Sequence, residues 1–203
     1  MNSIKLDGRT CHPSKIVCIG QNYVDHIKEL GNEMPSEPVI FLKPNSAIAA
    51  DIQSLDDEVL HYEGELAFVI IGGEFAGVGF GLDLTKRAVQ ARLRDKGMPW
   101  ERSKAFDGAA VFSDFVHIDG GLENLRLELW INGQLVQHGG YDLMMNKPAD
   151  MLAEIGAFMS LEDGDVILSG TPKGVGEVNA GDRFHGKVFD GDSLLAEKAW
   201  TVR

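Results

Sequence analysis

Glu63 and Glu65 lie two residues apart in His61-Tyr62-Glu63-Gly64-Glu65-Leu66, and Asp83 follows in Gly81-Leu82-Asp83-Leu84-Thr85. The apolar run from Leu66 to Ile71 reads as a buried strand. Side chains alternate faces in a strand, so Glu63 and Glu65 point the same way and His61 shares their face. Like charges side by side in a half-buried strand repel, and a cation that neutralises both is the simplest way to hold them there. With Asp83 supplied by a neighbouring segment, the donor set is all oxygen. That suits a hard divalent ion, Mg²⁺ or Mn²⁺, with open positions for water or substrate, and suits zinc or copper poorly. Glu-x-Glu also occurs on solvated strand faces that hold no ion.

His26 and Glu29, three apart on an expected helix, share a face, so the carboxylate can orient the imidazole and raise its basicity as in a general base. The same spacing describes a plain exposed i,i+3 pair. Lys104, in Arg102-Ser-Lys-Ala-Phe-Asp107, could hold an anionic substrate or a developing enolate, or could simply solvate a surface. Gly170-Thr171-Pro172-Lys173-Gly174-Val175-Gly176 could offer backbone N–H groups and the Thr171 hydroxyl to a carboxylate. It lacks the Gly-Lys-Ser/Thr of a phosphate loop and reads equally as a tight β-connection. His117, His138 and His185 stand isolated.

The elements that must position these groups are mostly strands. A chain of 203 residues, 44% hydrophobic and 25% charged, fits one globular domain over residues 1–203 with a sizeable core. Its 24 glycines and many short apolar runs favour a strand-rich fold over a helix bundle. A net charge of −12 repels phosphate backbones, so nucleic acid is not an expected partner. The most apolar stretch, Leu66 to Leu84, carries Glu74, Asp83 and five glycines, and the first residues lack the core of a signal peptide. No membrane partner and a cytoplasmic location are therefore expected. Cys11 and Cys18 are too few for a disulfide framework and read as reduced thiols, Cys18 in a strand core.

Along the chain, Lys15–Gly20 is an expected strand, and apolar residues at 23, 27 and 30 predict a helix stopped by Gly31. Pro38–Lys43 predicts a strand closed by Pro44. Asp83 to Lys96 predicts a surface helix ending at Gly97, and Pro148 to Met159 predicts another. Arg126–Gln137 alternates around Asn132-Gly133, a strong hairpin signal, and β-structure returns from Asp165 onward.

Taken together and in this order, the blocks Lys15-Ile-Val-Cys-Ile-Gly-Gln-Asn-Tyr-Val-Asp-His-Ile-Lys-Glu29, Glu37-Pro-Val-Ile-Phe-Leu-Lys-Pro44, His61-Tyr-Glu-Gly-Glu-Leu66, Leu82-Asp-Leu-Thr-Lys-Arg-Ala-Val-Gln90, Gly97-Met-Pro-Trp-Glu-Arg-Ser-Lys-Ala-Phe-Asp107 and Gly164-Asp-Val-Ile-Leu-Ser-Gly-Thr-Pro-Lys-Gly-Val-Gly176 span nearly the whole sequence. They resemble the fumarylacetoacetate hydrolase family, in particular its compact members similar to acylpyruvate and fumarylpyruvate hydrolases. The resemblance implies an α+β fold, a mostly β mixed roll with a few peripheral helices, and a homodimer. It implies Glu63, Glu65 and Asp83 as ligands of Mg²⁺ or Mn²⁺, and His26 and Glu29 as the dyad that activates water. Lys104 would be a substrate-positioning cation, and Gln90 and Thr171 would contact substrate oxygens. The implied activity is hydrolysis of a C–C bond in acylpyruvate-type 2,4-diketo acids, such as fumarylpyruvate, to pyruvate and a carboxylic acid. The alternative is an isomerase, decarboxylase or tautomerase working through a metal-chelated enolate on oxaloacetate or hydroxymuconate-type keto acids. A third reading is a metal-binding protein without catalysis.

Two departures from the family pattern stand out. Gly72–Val78 leads almost directly from the Glu65 strand to the Asp83 strand where most relatives carry an extra helix. Gln21 stands where some hydrolases place an arginine, which leaves the acyl group open.

Overall fold

The computed structural model describes residues 1–55 and 58–203. A large mixed sheet runs in the order Val39–Pro44, Lys15–Gly20, Val166–Leu168, Gly64–Ile71, Glu74–Asp83, Ala110–Phe112, Ile48–Ala49, with Val116–His117 also pairing onto Glu74–Asp83. Most neighbours are antiparallel, but Lys15–Gly20 is parallel to Val166–Leu168 and Ala110–Phe112 is parallel to Ile48–Ala49. A four-stranded antiparallel sheet of Gln134–Gly140, Leu125–Ile131, Arg183–Asp190 and Ser193–Thr201 lies against it. A small sheet joins Gly176–Glu177, Leu60–Tyr62 and Thr85–Lys86. The result is the mostly β, mixed α+β architecture expected, with helices α1 (Val24–Glu29), α2 (Arg87–Asp95), α3 (Glu101–Lys104) and α4 (Pro148–Gly156) at the periphery. No helix among the described residues is long and apolar enough to cross a membrane.

The strand Gly64–Ile71 reads as a nearly unbroken apolar run because both of its faces are covered. Leu66, Phe68 and Ile70 join the core shared with Leu127, Leu129, Phe184 and Val188 of the four-stranded sheet, while Ala67 and Val69 pack with Ile16, Cys18, Val166 and Leu168 on the other side. The two sheets approach closely at Gly186, where a Cβ would fall 2.2 Å from Phe80 Cδ1. Phe80 also meets Trp200 with ring centroids 6.1 Å apart. Gly72 and Gly73, both at positive φ, turn Gly64–Ile71 straight back into Glu74–Asp83, the tight connection expected at that point. The Asn132-Gly133 hairpin forms with both residues at positive φ.

Two expected helix boundaries move. Asp83 does not open a helix: it closes its strand opposite Ala110, Thr85–Lys86 forms a further strand, and α2 starts at Arg87. Pairing across the sheet overrides the local acid-first signal. The last helix ends at Gly156 rather than Met159, its final turn loosening past the glycine.

Candidate metal centre and active site

The acids meet where the small sheet joins the large one. Glu65 is the second residue of Gly64–Ile71, Asp83 is the last of Glu74–Asp83, and Glu63 sits in the bend between Leu60–Tyr62 and Gly64–Ile71. Gly64 lies opposite Leu82 and Glu65 opposite Gly81, and the Asp83 N–H donates to the Glu63 carbonyl at 2.9 Å. That register brings one carboxylate oxygen from each of Glu63, Glu65 and Asp83 within 4.8 Å of one another, all three residues buried. His61 does not join them. The bend at Glu63 breaks the alternation, and His61 instead pairs across the small sheet with Thr85 and Glu177. Its Nδ1 is buried without a partner, and burial followed by Arg87 lowers its pKa.

Three cations share the cluster. Lys104, 2% exposed, places Nζ 2.8 Å from Glu63 Oε2, 2.6 Å from Asp83 Oδ2 and 2.6 Å from Thr85 Oγ1, with the Phe41 ring 5.0 Å below. Burial works against its charge, but Asp83 and Glu63 more than offset it and hold the pKa raised. Lys43, fully buried, stands 2.7 Å from Asp83 Oδ1, close enough for charge pairing but off the line of a hydrogen bond; it donates to the Leu84 and Lys104 carbonyls. Arg87 pairs with Glu63 Oε1 and donates to Gln90 Oε1 at 2.6 Å. Burial raises the Glu63 pKa, yet Lys104 and Arg87 outweigh it and leave the carboxyl below its ordinary range.

Glu65 is the exception. It forms no ion pair among the described residues, and its one hydrogen bond comes from the Gly170 N–H at 2.7 Å. Burial, then the charges of Asp83 and Glu63, push its pKa well above the ordinary value. The donor chemistry therefore fits a hard divalent cation, which would offset the burial and repulsion that oppose the Glu65 charge. Ion binding competes with protonation of Glu65. Affinity for Mn²⁺ is expected to fall on acidification while the pH is still above the usual carboxylate range of about 4. Titration calorimetry in buffers of different ionisation enthalpy should register the released proton; pH-independent affinity and no proton release would count against this reading.

The remaining candidates converge on the same place. His26, 4% exposed, sets Nδ1 3.2 Å from Glu29 Oε2, and the Gly174 N–H holds the Glu29 carboxylate at 3.0 and 3.2 Å. With Nδ1–H donated to Glu29, the Nε2 lone pair is left available. Gln90 and Thr171 line the cavity with His26, Glu63, Glu65, Asp83, Arg87 and Lys104. The Thr171 hydroxyl is already engaged, donating to the Gly64 carbonyl at 2.9 Å and accepting from Gln137 Nε2 at 2.8 Å, so it braces the wall behind the acids. The cavity itself is small, about 30 Å³. Lys43, Arg87, Thr85 and Gln137 were not singled out from the sequence. The one available signal was Lys43, a cation set in an apolar strand.

The sequence profile described as Fumarylacetoacetate (FAA) hydrolase C-terminal matches residues 15–197. The chain belongs to the fumarylacetoacetate hydrolase family. Within that family it is 40% identical over 200 residues to oxaloacetate tautomerase YcgM of Escherichia coli, covering 89% of this chain and 90% of that one. Among solved structures, a fumarylacetoacetate isomerase/hydrolase-type protein from Oleispira antarctica matches over 100% of both chains at 36% identity and TM-score 0.95. Fumarylpyruvate hydrolase from Pseudomonas aeruginosa, solved with Mn²⁺ and pyruvate, matches at 30% identity and TM-score 0.89 over 99% of this chain and 95% of that one. The proteins it resembles thus include both an oxaloacetate tautomerase and a fumarylpyruvate hydrolase.

Proposed function

We propose that this chain is a divalent-metal-dependent enzyme that interconverts the keto and enol forms of oxaloacetate. The observation that carries the reading is the 40% identity, over 89% of the chain, to a protein named as an oxaloacetate tautomerase. The site geometry is consistent with it. Glu63, Glu65 and Asp83 would hold Mg²⁺ or Mn²⁺, which when bound would supply a Lewis acid that makes the C–H beside the keto group more acidic. Lys104, kept charged by Glu63 and Asp83, sets positive charge beside the oxygen on which negative charge builds. His26, oriented by Glu29, takes the C3 proton at Nε2 and delivers it to the C2 oxygen, and runs the same transfer backwards from enol to keto, which is general acid–base catalysis. Gln90, whose Oε1 accepts from Arg87, keeps its amide N–H groups for a substrate oxygen at the cavity wall. Tautomerisation needs only these proton transfers, and no water enters a bond.

The test follows the decay of enol-oxaloacetate in the near ultraviolet. Catalysis by the Mg²⁺-loaded protein should disappear with a chelator and fall by about 10²–10⁴ in His26→Ala. Decay at the buffer rate with wild-type protein would sink the reading. The second reading, acylpyruvate hydrolysis, is supported by the His26–Glu29 dyad, which is equally suited to deprotonating water, and by the likeness to fumarylpyruvate hydrolase. Pyruvate release from fumarylpyruvate would favour it.

A further inference from the structure

Helix α2 carries Arg87, Gln90 and Arg94 at spacings of three and four, the pattern that puts side chains on one face, and all three line the cavity of the acids. The inner two are engaged with each other: Arg87 answers Glu63 and donates to Gln90 Oε1, which leaves Gln90 only its amide N–H groups. Arg94 is different. It is exposed, and no acid or carbonyl among the described residues pairs with it. The other cations lining this cavity, Arg87 and Lys104, each answer a carboxylate, and the chain as a whole carries an excess of twelve acids over bases. An unanswered guanidinium on the cavity wall of so acidic a protein points to a negative charge brought by the ligand.

Its place on the helix defines which part of the ligand. Arg94 stands about 6 Å along the axis beyond Gln90 and about 10 Å beyond Arg87, at a rise of about 1.5 Å per residue. A keto acid whose reacting end sits before His26 and Lys104 leads its far end away from the acids. We infer that Arg94 receives the distal carboxylate of a dicarboxylic 2-keto acid, and that it sets the preference for diacids over monoacids. Its planar fork is suited to a carboxylate in a way a lysine is not. Asn32 and Gln21, which line the same cavity, add neutral hydrogen-bonding groups without a competing charge. The inference rests on the proposed oxaloacetate reading for the identity of the substrate, but its test does not require turnover.

The probes are 3,3-difluoro-oxaloacetate, which has no C3 hydrogen to lose, and pyruvate, which has no second carboxylate. Both are titrated into Mg²⁺-loaded wild type, Arg94→Ala and Arg94→Lys by calorimetry. Arg94→Ala should weaken the diacid about tenfold and leave pyruvate within about twofold, Arg94→Lys should fall between, and added salt should narrow the difference, as for a partly exposed charge pair. Equal weakening of both probes, no weakening of either, or a wild type with no preference for the diacid would overturn the assignment. A wild type that shows this Arg94-dependent preference yet leaves enol-oxaloacetate untouched would support the assignment and overturn the tautomerase reading instead.

Discussion

Glu65→Gln is expected to abolish metal-dependent turnover and, at the same time, to raise the melting temperature of the metal-free protein. Glu65 is 2% exposed, lies beside two other carboxylates and has no cation of its own. Removing one of the three carboxylates proposed to hold the ion would forfeit several kcal/mol of charge stabilisation, so activity should drop by about a thousandfold or more. Glutamine keeps an oxygen for the Gly170 N–H while deleting a charge that burial and two neighbours oppose. The sign for pH follows. A carboxyl whose folded pKa is raised contributes fully below its unfolded value near 4.5 and loses that contribution as pH rises through the folded value. At neutral pH the wild-type protein without metal therefore carries a cost that the variant lacks. A gain of about 1–2 kcal/mol would move the melting temperature up by a few degrees in a chain of this size. A lower melting temperature in Glu65→Gln, without metal, would refute the argument.

Asp83→Asn should do the opposite, although it alters a member of the same cluster. Asp83 answers Lys43 at 2.7 Å and Lys104 at 2.6 Å, both deeply buried. Lys104 keeps Glu63, but Lys43 keeps only carbonyls. Removing one partner of a buried ion pair typically costs about 3–5 kcal/mol, because the charge left behind has no water. The melting temperature should fall by about 6–20 °C, and metal-dependent activity should vanish. The double variant Asp83→Asn/Lys43→Met should recover most of the stability and none of the activity. If Asp83→Asn melted within a degree of wild type, the ion pair would not contribute as argued.

What the sequence revealed of this site depended on the range of the interactions. Glu63, Glu65, His26 and Glu29 were legible because each is read against a neighbour within three residues, and the i,i+3 pair is found in contact at 3.2 Å. The strand Gly64–Ile71 and the Asn132-Gly133 hairpin were legible for the same reason. Lys43 was not, since what makes it more than a strand lysine is Asp83, forty residues away across the sheet order. Arg87 was hidden inside a helix expected to begin four residues earlier, at an Asp83 that is instead held in a ladder by Ala110. His61 failed in the other direction, because strand alternation was carried through a bend that only the meeting of two sheets creates. Thr171 lies on the cavity as expected, but its hydroxyl is bound to Gly64 and Gln137, an arrangement set by a strand far off in sequence.

His26, tied to Glu29 through Nδ1, has a single ring nitrogen left to face the cavity. One nitrogen serves one proton donor at a time. Moving a proton between carbon and oxygen asks that a C–H stand before it, whereas cleaving a C–C bond by hydrolysis asks for a water molecule in the same position at the instant of attack. Within one scaffold the division between a tautomerase and a hydrolase then reduces to which of the two reaches that nitrogen first.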